Sequence, residues 1–148
     1  MGGQHEADHD RGRKGGGVIR AVGTDLVPVA QIARWWGRFP ERAARRLFTD
    51  AEQHRFAGMV PARLHEHIAG RLAVKEAVFK CLEAPKGIGW RDVAVLGGRG
   101  TPPSIELFGV AQETFQAAGG GIWHVSISHA AGMATAVAIW EQRGQNDG

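Results

Sequence analysis

Apolar positions along the chain change their spacing several times, and each change marks an element. Val18-Ile19-Arg20-Ala21-Val22-Gly23-Thr24-Asp25-Leu26-Val27 alternates loosely and is rich in β-branched residues, which predicts a strand ending near Asp25. Pro28 suits the first turn of a helix, and from about Val29 to Arg46 the spacing is helical, with a break around Gly37 to Pro40. Thr49 and Glu52 stand at capping-box spacing, so a short helix is expected there. The longest helix is expected from about Pro61 to Leu82. There Val74, Ala77, Val78 and Cys81 recur at i, i+3, i+4, i+7 to form one apolar stripe. Glu76 and Lys80, four apart, fall on roughly the opposite face. Trp90 to Leu96 and Ser104 to Phe108 alternate as two strands around a long loop, Gly97 to Pro103. Residues 110–118 are helical by composition, and Ile122 to Ser128 with Met133 to Trp140 form a last strand pair around His129-Ala130-Ala131-Gly132. Helices interleaved with hairpin-joined strands predict an α+β fold, an antiparallel sheet packed against a long helix and shorter helices.

Residues 1–17 are rich in glycine, balanced in charge and without a large apolar side chain after Met1, so they are expected to form a disordered N-terminal tail. His5 and His9 beside Asp8 and Asp10 are read as incidental to that tail. Residues 141–148 are expected to form a flexible C-terminal tail. One domain, 18–140, remains, which suits a chain of 148 residues. The single Cys81 excludes an intrachain disulfide framework and a cysteine-based zinc cluster, and fits a reducing cytoplasm. No apolar run approaches the roughly 20 residues that span a bilayer, and the amino terminus lacks a secretory pattern, so no membrane partner is expected.

Eighteen Lys+Arg against 15 Asp+Glu leave a net charge of +3, so acidic partners are plausible. The excess gathers in Arg34, Arg38, Arg42, Arg45 and Arg46, opposed there by Glu41 alone. Local pattern leaves this segment open as a solvated face, a dock for an acidic protein or a nucleic-acid patch.

Asp25 adds nothing to strand propensity at a strand end, so it is either an N-cap for the next helix or a functional acid. Glu76 is either a solvated partner of Lys80 or a functional carboxylate. His129 is a turn residue or a functional one, and Arg71 a surface residue or a functional one. Ser126 and Ser128 lie near His129 but share one strand face without a strained Gly-x-Ser-x-Gly turn, which argues against serine hydrolysis. Gly15 to Gly17 and Gly119 to Gly121 lack phosphate-loop grammar. His65 and His67 are two apart on a helix and make a poor metal clamp.

The order of these pieces carries more than any one of them. Gly23-Thr24-Asp25-Leu26-Val27, Phe48-Thr49-Asp50-Ala51-Glu52, Arg71-Leu72-Ala73-Val74-Lys75-Glu76-Ala77-Val78-Phe79-Lys80, Gly89-Trp90-Arg91-Asp92-Val93 and Val125-Ser126-Ile127-Ser128-His129 follow one another in the chain. The whole resembles the holo-acyl-carrier-protein synthase group of 4′-phosphopantetheinyl transferases over about 18–140. The strand-end aspartate followed some fifty residues later by Arg-x-x-x-Lys-Glu-Ala-x-x-Lys is the specific part.

The resemblance implies that fold and the transfer of 4′-phosphopantetheine from coenzyme A to a serine of an apo carrier protein of fatty-acid or polyketide type. It implies release of 3′,5′-ADP, with Mg²⁺ as cofactor. It assigns Asp25 and Glu76 as metal-binding carboxylates, Glu76 as the base for the acceptor serine, and Lys80 as the group that neutralises or protonates the departing phosphate. Arg71 and His129 become contacts to the nucleotide end of coenzyme A, with Lys75 and Lys80 as further phosphate contacts. Arg34, Arg38, Arg42 and Arg45 become the dock for an acidic carrier protein, in preference to nucleic acid. A homotrimer with sites between subunits is expected. Four departures from the family pattern stand out: Gln31 in place of a basic residue, Glu83-Ala84-Pro85-Lys86 after the long helix, Gly100-Thr101-Pro102 in the hairpin loop, and Ala130 after His129. The alternative reading is a non-catalytic basic module that binds a carrier protein, coenzyme A or nucleic acid.

Overall fold

The computed structural model describes residues 16–98 and 100–144. The elements in order are β1 (Gly17–Pro28), α1 (Val29–Trp36), α2 (Pro40–Leu47), α3 (Asp50–His54), α4 (Pro61–Cys81), a 3₁₀ turn (Trp90–Asp92), β2 (Val93–Gly98), β3 (Thr101–Leu107), α5 (Gly109–Ala117), β4 (Ile122–Ala130) and β5 (Met133–Arg143). A three-stranded sheet in the order β1-β5-β4 and a two-stranded sheet β2-β3 are both antiparallel, as the α+β reading requires. No described helix is long and apolar enough to cross a membrane.

α4 is the centre. Its expected stripe, Val74, Ala77, Val78 and Cys81, packs on Ala136, Ala138 and Trp140 of β5. Its earlier turns, through Ile68 and Leu72, pack on Ile32 and Trp36 of α1 and on Phe48. Two glycines fix how the helix crosses the sheet. A Cβ on Gly23 would stand 2.0 Å from the carbonyl oxygen of Ala77, so β1 lies directly against the α4 backbone there. A Cβ on Gly70 would stand 2.9 Å from Ile127 Cγ2 and 3.1 Å from His129 Nε2, so side chains of β4 close on α4 there. Any larger residue at Gly23 would push the helix off the sheet.

Several boundaries differ from the sequence reading. The strand expected from Trp90 begins at Val93, because the Asp92 carboxylate accepts a 2.9 Å bond from the Gly89 N–H and curls 90–92 into a turn. The hairpin loop is shorter than expected, with Gly98 paired to Thr101. Residues 141–143 are strand rather than tail, since Gly17, Val18 and Ile19 pair with Arg143, Gln142 and Glu141. Residues 1–15 and 145–148, with His5 and His9, lie outside the described residues. The capping box at Thr49 and Glu52 forms as expected.

Candidate active site

Asp25 and Glu76 meet because of the Gly23 contact. β1 carries Asp25 two residues beyond Gly23, on the same sheet face, and α4 carries Glu76 one residue before Ala77. Both carboxylates line one cavity of about 420 Å³ with Gln31 and Trp35 of α1, Leu72 of α4 and Trp90. Pro28 precedes the first residue of α1 and no side chain caps that helix, which removes the N-cap reading of Asp25. Lys80 does not turn back to Glu76. Its ammonium donates 2.6 Å to the Thr24 carbonyl and lies 3.4 Å from Asp25 Oδ1. Burial pushes the Glu76 carboxyl above the ordinary glutamate range, the charge of Asp25 pushes it further, and Lys80 works against both. A part-buried carboxyl whose pKa is raised by burial and by a second carboxylate is the kind of group that clusters at functional sites.

Arg71 and His129 lie elsewhere. They line a second cavity of about 420 Å³, shared with Gly70, Gly98, Pro103 and Ile127 and with no residue of the first. Arg71 is buried and donates 2.8 Å to the Gly97 carbonyl, while His129 Nε2 donates 2.9 Å to the carbonyl of Glu66. His129 sits within β4, not in a turn. α4 thus carries Arg71 to one cavity and Glu76 to the other, and one chain does not bring the two halves together.

Lys75 departs from its expected role as a phosphate contact. It is wholly buried, and its ammonium donates to Glu52 Oε1 at 2.7 Å, the Leu47 carbonyl at 2.8 Å and the Trp90 carbonyl at 3.0 Å. Those acceptors match its three hydrogens. Burial lowers its pKa from the ordinary lysine value, and Glu52 opposes that shift. The cause is α2, α3 and the turn at Trp90, which cover a face of α4 that a simple amphipathic reading leaves in solvent.

The basic segment is exposed. Arg34, Arg38, Arg42 and Arg45 all reach solvent, and the Arg42 guanidinium stands 5.5 Å over the ring of the exposed Phe39. α1, which bears Arg34, also walls the Asp25–Glu76 cavity through Gln31 and Trp35. Sequence reasoning noted Gln31 only as a departure from the family pattern and missed Trp35, because tryptophan carries no motif.

Comparison with known proteins decides the family. A family model for the 4′-phosphopantetheinyl transferase superfamily matches residues 21–138. The chain belongs to that superfamily. The transferase is 40% identical over 124 residues to a holo-[acyl-carrier-protein] synthase of Clavibacter michiganensis, covering 84% of this chain and 97% of the relative. It is 37% identical over 125 residues to the synthase of Salinispora arenicola, covering 84% and 100%. The crystal structure of Helicobacter pylori holo-[acyl-carrier-protein] synthase in complex with coenzyme A superposes with a TM-score of 0.66 at 28% identity, covering 80% of the transferase and 97% of that chain.

The donor set suits a hard cation. Among the described residues no group of three or more metal-ligating side chains occurs, but Mg²⁺ is usually held by one or two carboxylates with phosphate oxygens and water completing the shell. Asp25 and Glu76 on one cavity supply that pair.

Proposed function

We propose that the transferase moves the 4′-phosphopantetheine arm of coenzyme A onto a serine of an apo carrier protein of fatty-acid or polyketide type, in the cytoplasm, and releases 3′,5′-ADP. The observation that carries this reading is the convergence of Asp25 and Glu76 at one cavity, with the Lys80 ammonium 3.4 Å from Asp25. Asp25 and Glu76 hold Mg²⁺, which supplies charge neutralisation for the pyrophosphate. Glu76 accepts the proton of the serine hydroxyl as its oxygen bonds to the phosphorus that carries pantetheine. The bond from that phosphorus to the bridging oxygen breaks, and the oxygen leaves on the adenosine bisphosphate. Lys80, anchored on the Thr24 carbonyl, neutralises the charge that develops there.

Arg71 and His129 hold the nucleotide end, and their separation from Glu76 within one chain argues for a site completed by a second copy. A homotrimer also accounts for the outer face of the sheet, where Val22, Leu26 and Ile122 are 56%, 58% and 52% exposed. The basic surface from Arg34 to Arg45 docks the acidic carrier beside the cavity that receives its serine. Mixing Glu76→Gln protein with Arg71→Ala protein tests the shared site, since subunit exchange restores transfer if neighbouring copies supply the two halves. Two inactive variants that stay inactive after full exchange would place the whole site in one chain.

A further inference from the structure

The cationic cluster around Arg71 extends past the residues assigned to the nucleotide. A cavity of about 450 Å³ lined by His54, Arg55 and Arg63 adjoins the one lined by Arg71 and His129, and His67 and Gly98 are walls of both. Arg55 and Arg71 reach from either side to the same carbonyl oxygen, that of Gly97. Among the described residues no carboxylate forms an ion pair with Arg55, Arg63 or Arg71. Glu52, the acid that acts on Arg71, already accepts from Lys75 and from the Val95 N–H. Guanidinium groups gathered without a carboxylate are prepared for an anion from outside.

His67 occupies the junction. It precedes Arg71 by one helical turn, and its ring stands edge-on to Phe56 at 5.9 Å. The groups that face it are His54 and Arg55 from α3 and the residue after it, Arg63 and Arg71 from α4, and His129 from β4, all cationic or able to become so. Burial first, and then Arg71, Arg55, Arg63 and His129, push its pKa down to about 4. A phosphomonoester, doubly charged near neutral pH, reverses the sign of that field.

We propose that His67 makes nucleotide binding proton-linked: its imidazole is neutral in the empty cleft and takes up a proton when a phosphomonoester enters among Arg55, Arg63 and Arg71. The inference rests on the assignment of the nucleotide end of coenzyme A to Arg71 and His129, and adds to it a residue that distinguishes a 3′-phosphorylated nucleotide from one without that group. Neither the pyrophosphate nor the Asp25–Glu76 cavity takes part.

The test is nuclear magnetic resonance of the wild-type chain. The His67 ring signal is followed from pH 4 to 8, alone and with saturating 3′,5′-ADP or 5′-AMP, in phosphate-free buffer. The expected result is an upward move of the His67 midpoint by at least one unit with 3′,5′-ADP, which corresponds to tenfold tighter binding by the protonated protein, and no such move with 5′-AMP. An unmoved midpoint with 3′,5′-ADP bound overturns the role of His67 and leaves the nucleotide assignment standing. An equal move with 5′-AMP, whose only phosphomonoester is at the 5′ position, overturns the link to the 3′-phosphate. Failure of 3′,5′-ADP to bind at all overturns the nucleotide assignment, and this inference with it. Because the measurement uses the native sequence, it does not depend on a His67 variant folding.

Discussion

Lys75 and Glu52 meet at 2.7 Å inside the protein, while Glu76, the very next residue, opens onto a cavity. One Lys-Glu dipeptide therefore packs the interior with its first residue and lines the cavity with its second. Replacing Lys75 by methionine leaves Glu52 buried without its partner, and is expected to cost about 3–5 kcal/mol of stability. Denaturant unfolding measures the loss. The fraction that remains folded is expected to keep its KM for coenzyme A. A raised KM with unchanged stability would return Lys75 to the role of phosphate contact.

His67 sets a pH dependence of stability. Its pKa in the folded chain, about 4, lies below the ordinary value of 6.5, so between those limits the unfolded chain binds a proton that the folded chain refuses. Stability is fully present above pH 6.5 and declines as the pH falls toward 4. Allowing for the partial exposure of the ring, the contribution is on the order of 1–2 kcal/mol. His67→Phe, which keeps an aromatic ring against Phe56, should lessen the fall in Tm between pH 7 and pH 4.5 in ligand-free protein. A variant whose Tm follows the wild-type profile would remove His67 as the source.

Charge reversal at the dock separates the two substrates. Arg38→Glu and Arg42→Glu should raise KM for the carrier protein several-fold and leave KM for coenzyme A unchanged. The wild-type advantage should shrink as salt is added, because exposed charges are screened. Equal effects on both substrates would show that the segment is not the dock.

Much of this molecule was legible in its sequence because short-range physics fixes it. The α4 stripe and the capping box at Thr49 and Glu52 each follow from a local period or spacing, whereas β1 runs on past the expected end at Asp25 to Pro28, paired there with Met133; the resemblance supplied the pairing of Asp25 with Glu76. What was not legible depends on contacts across the fold. Nothing near Lys75 in the chain announces that α2, α3 and the turn at Trp90 will enclose it. The extension of β5 to Arg143 required knowing that Gly17 to Ile19 would pair with it. His67 was legible only as a failed metal ligand with His65. Its one helical turn from Arg71 was the available signal, and the arginines that give it meaning come from the residue after α3 and from α4 together. Trp35 and Trp90 gain a role only when the cavity they wall exists.

The claim that Asp25 and Glu76 are the reacting centre is tested most directly by intact-mass spectrometry of apo carrier proteins incubated with coenzyme A and the transferase, with and without Mg²⁺, beside an established transferase as control. The account predicts that the wild-type protein adds the mass of one 4′-phosphopantetheine arm only when Mg²⁺ is present. It predicts that Glu76→Gln and Asp25→Ala, folded by circular dichroism, add none. Near-normal transfer by either variant, or no transfer by the wild-type protein to any carrier while the control is active, would contradict it.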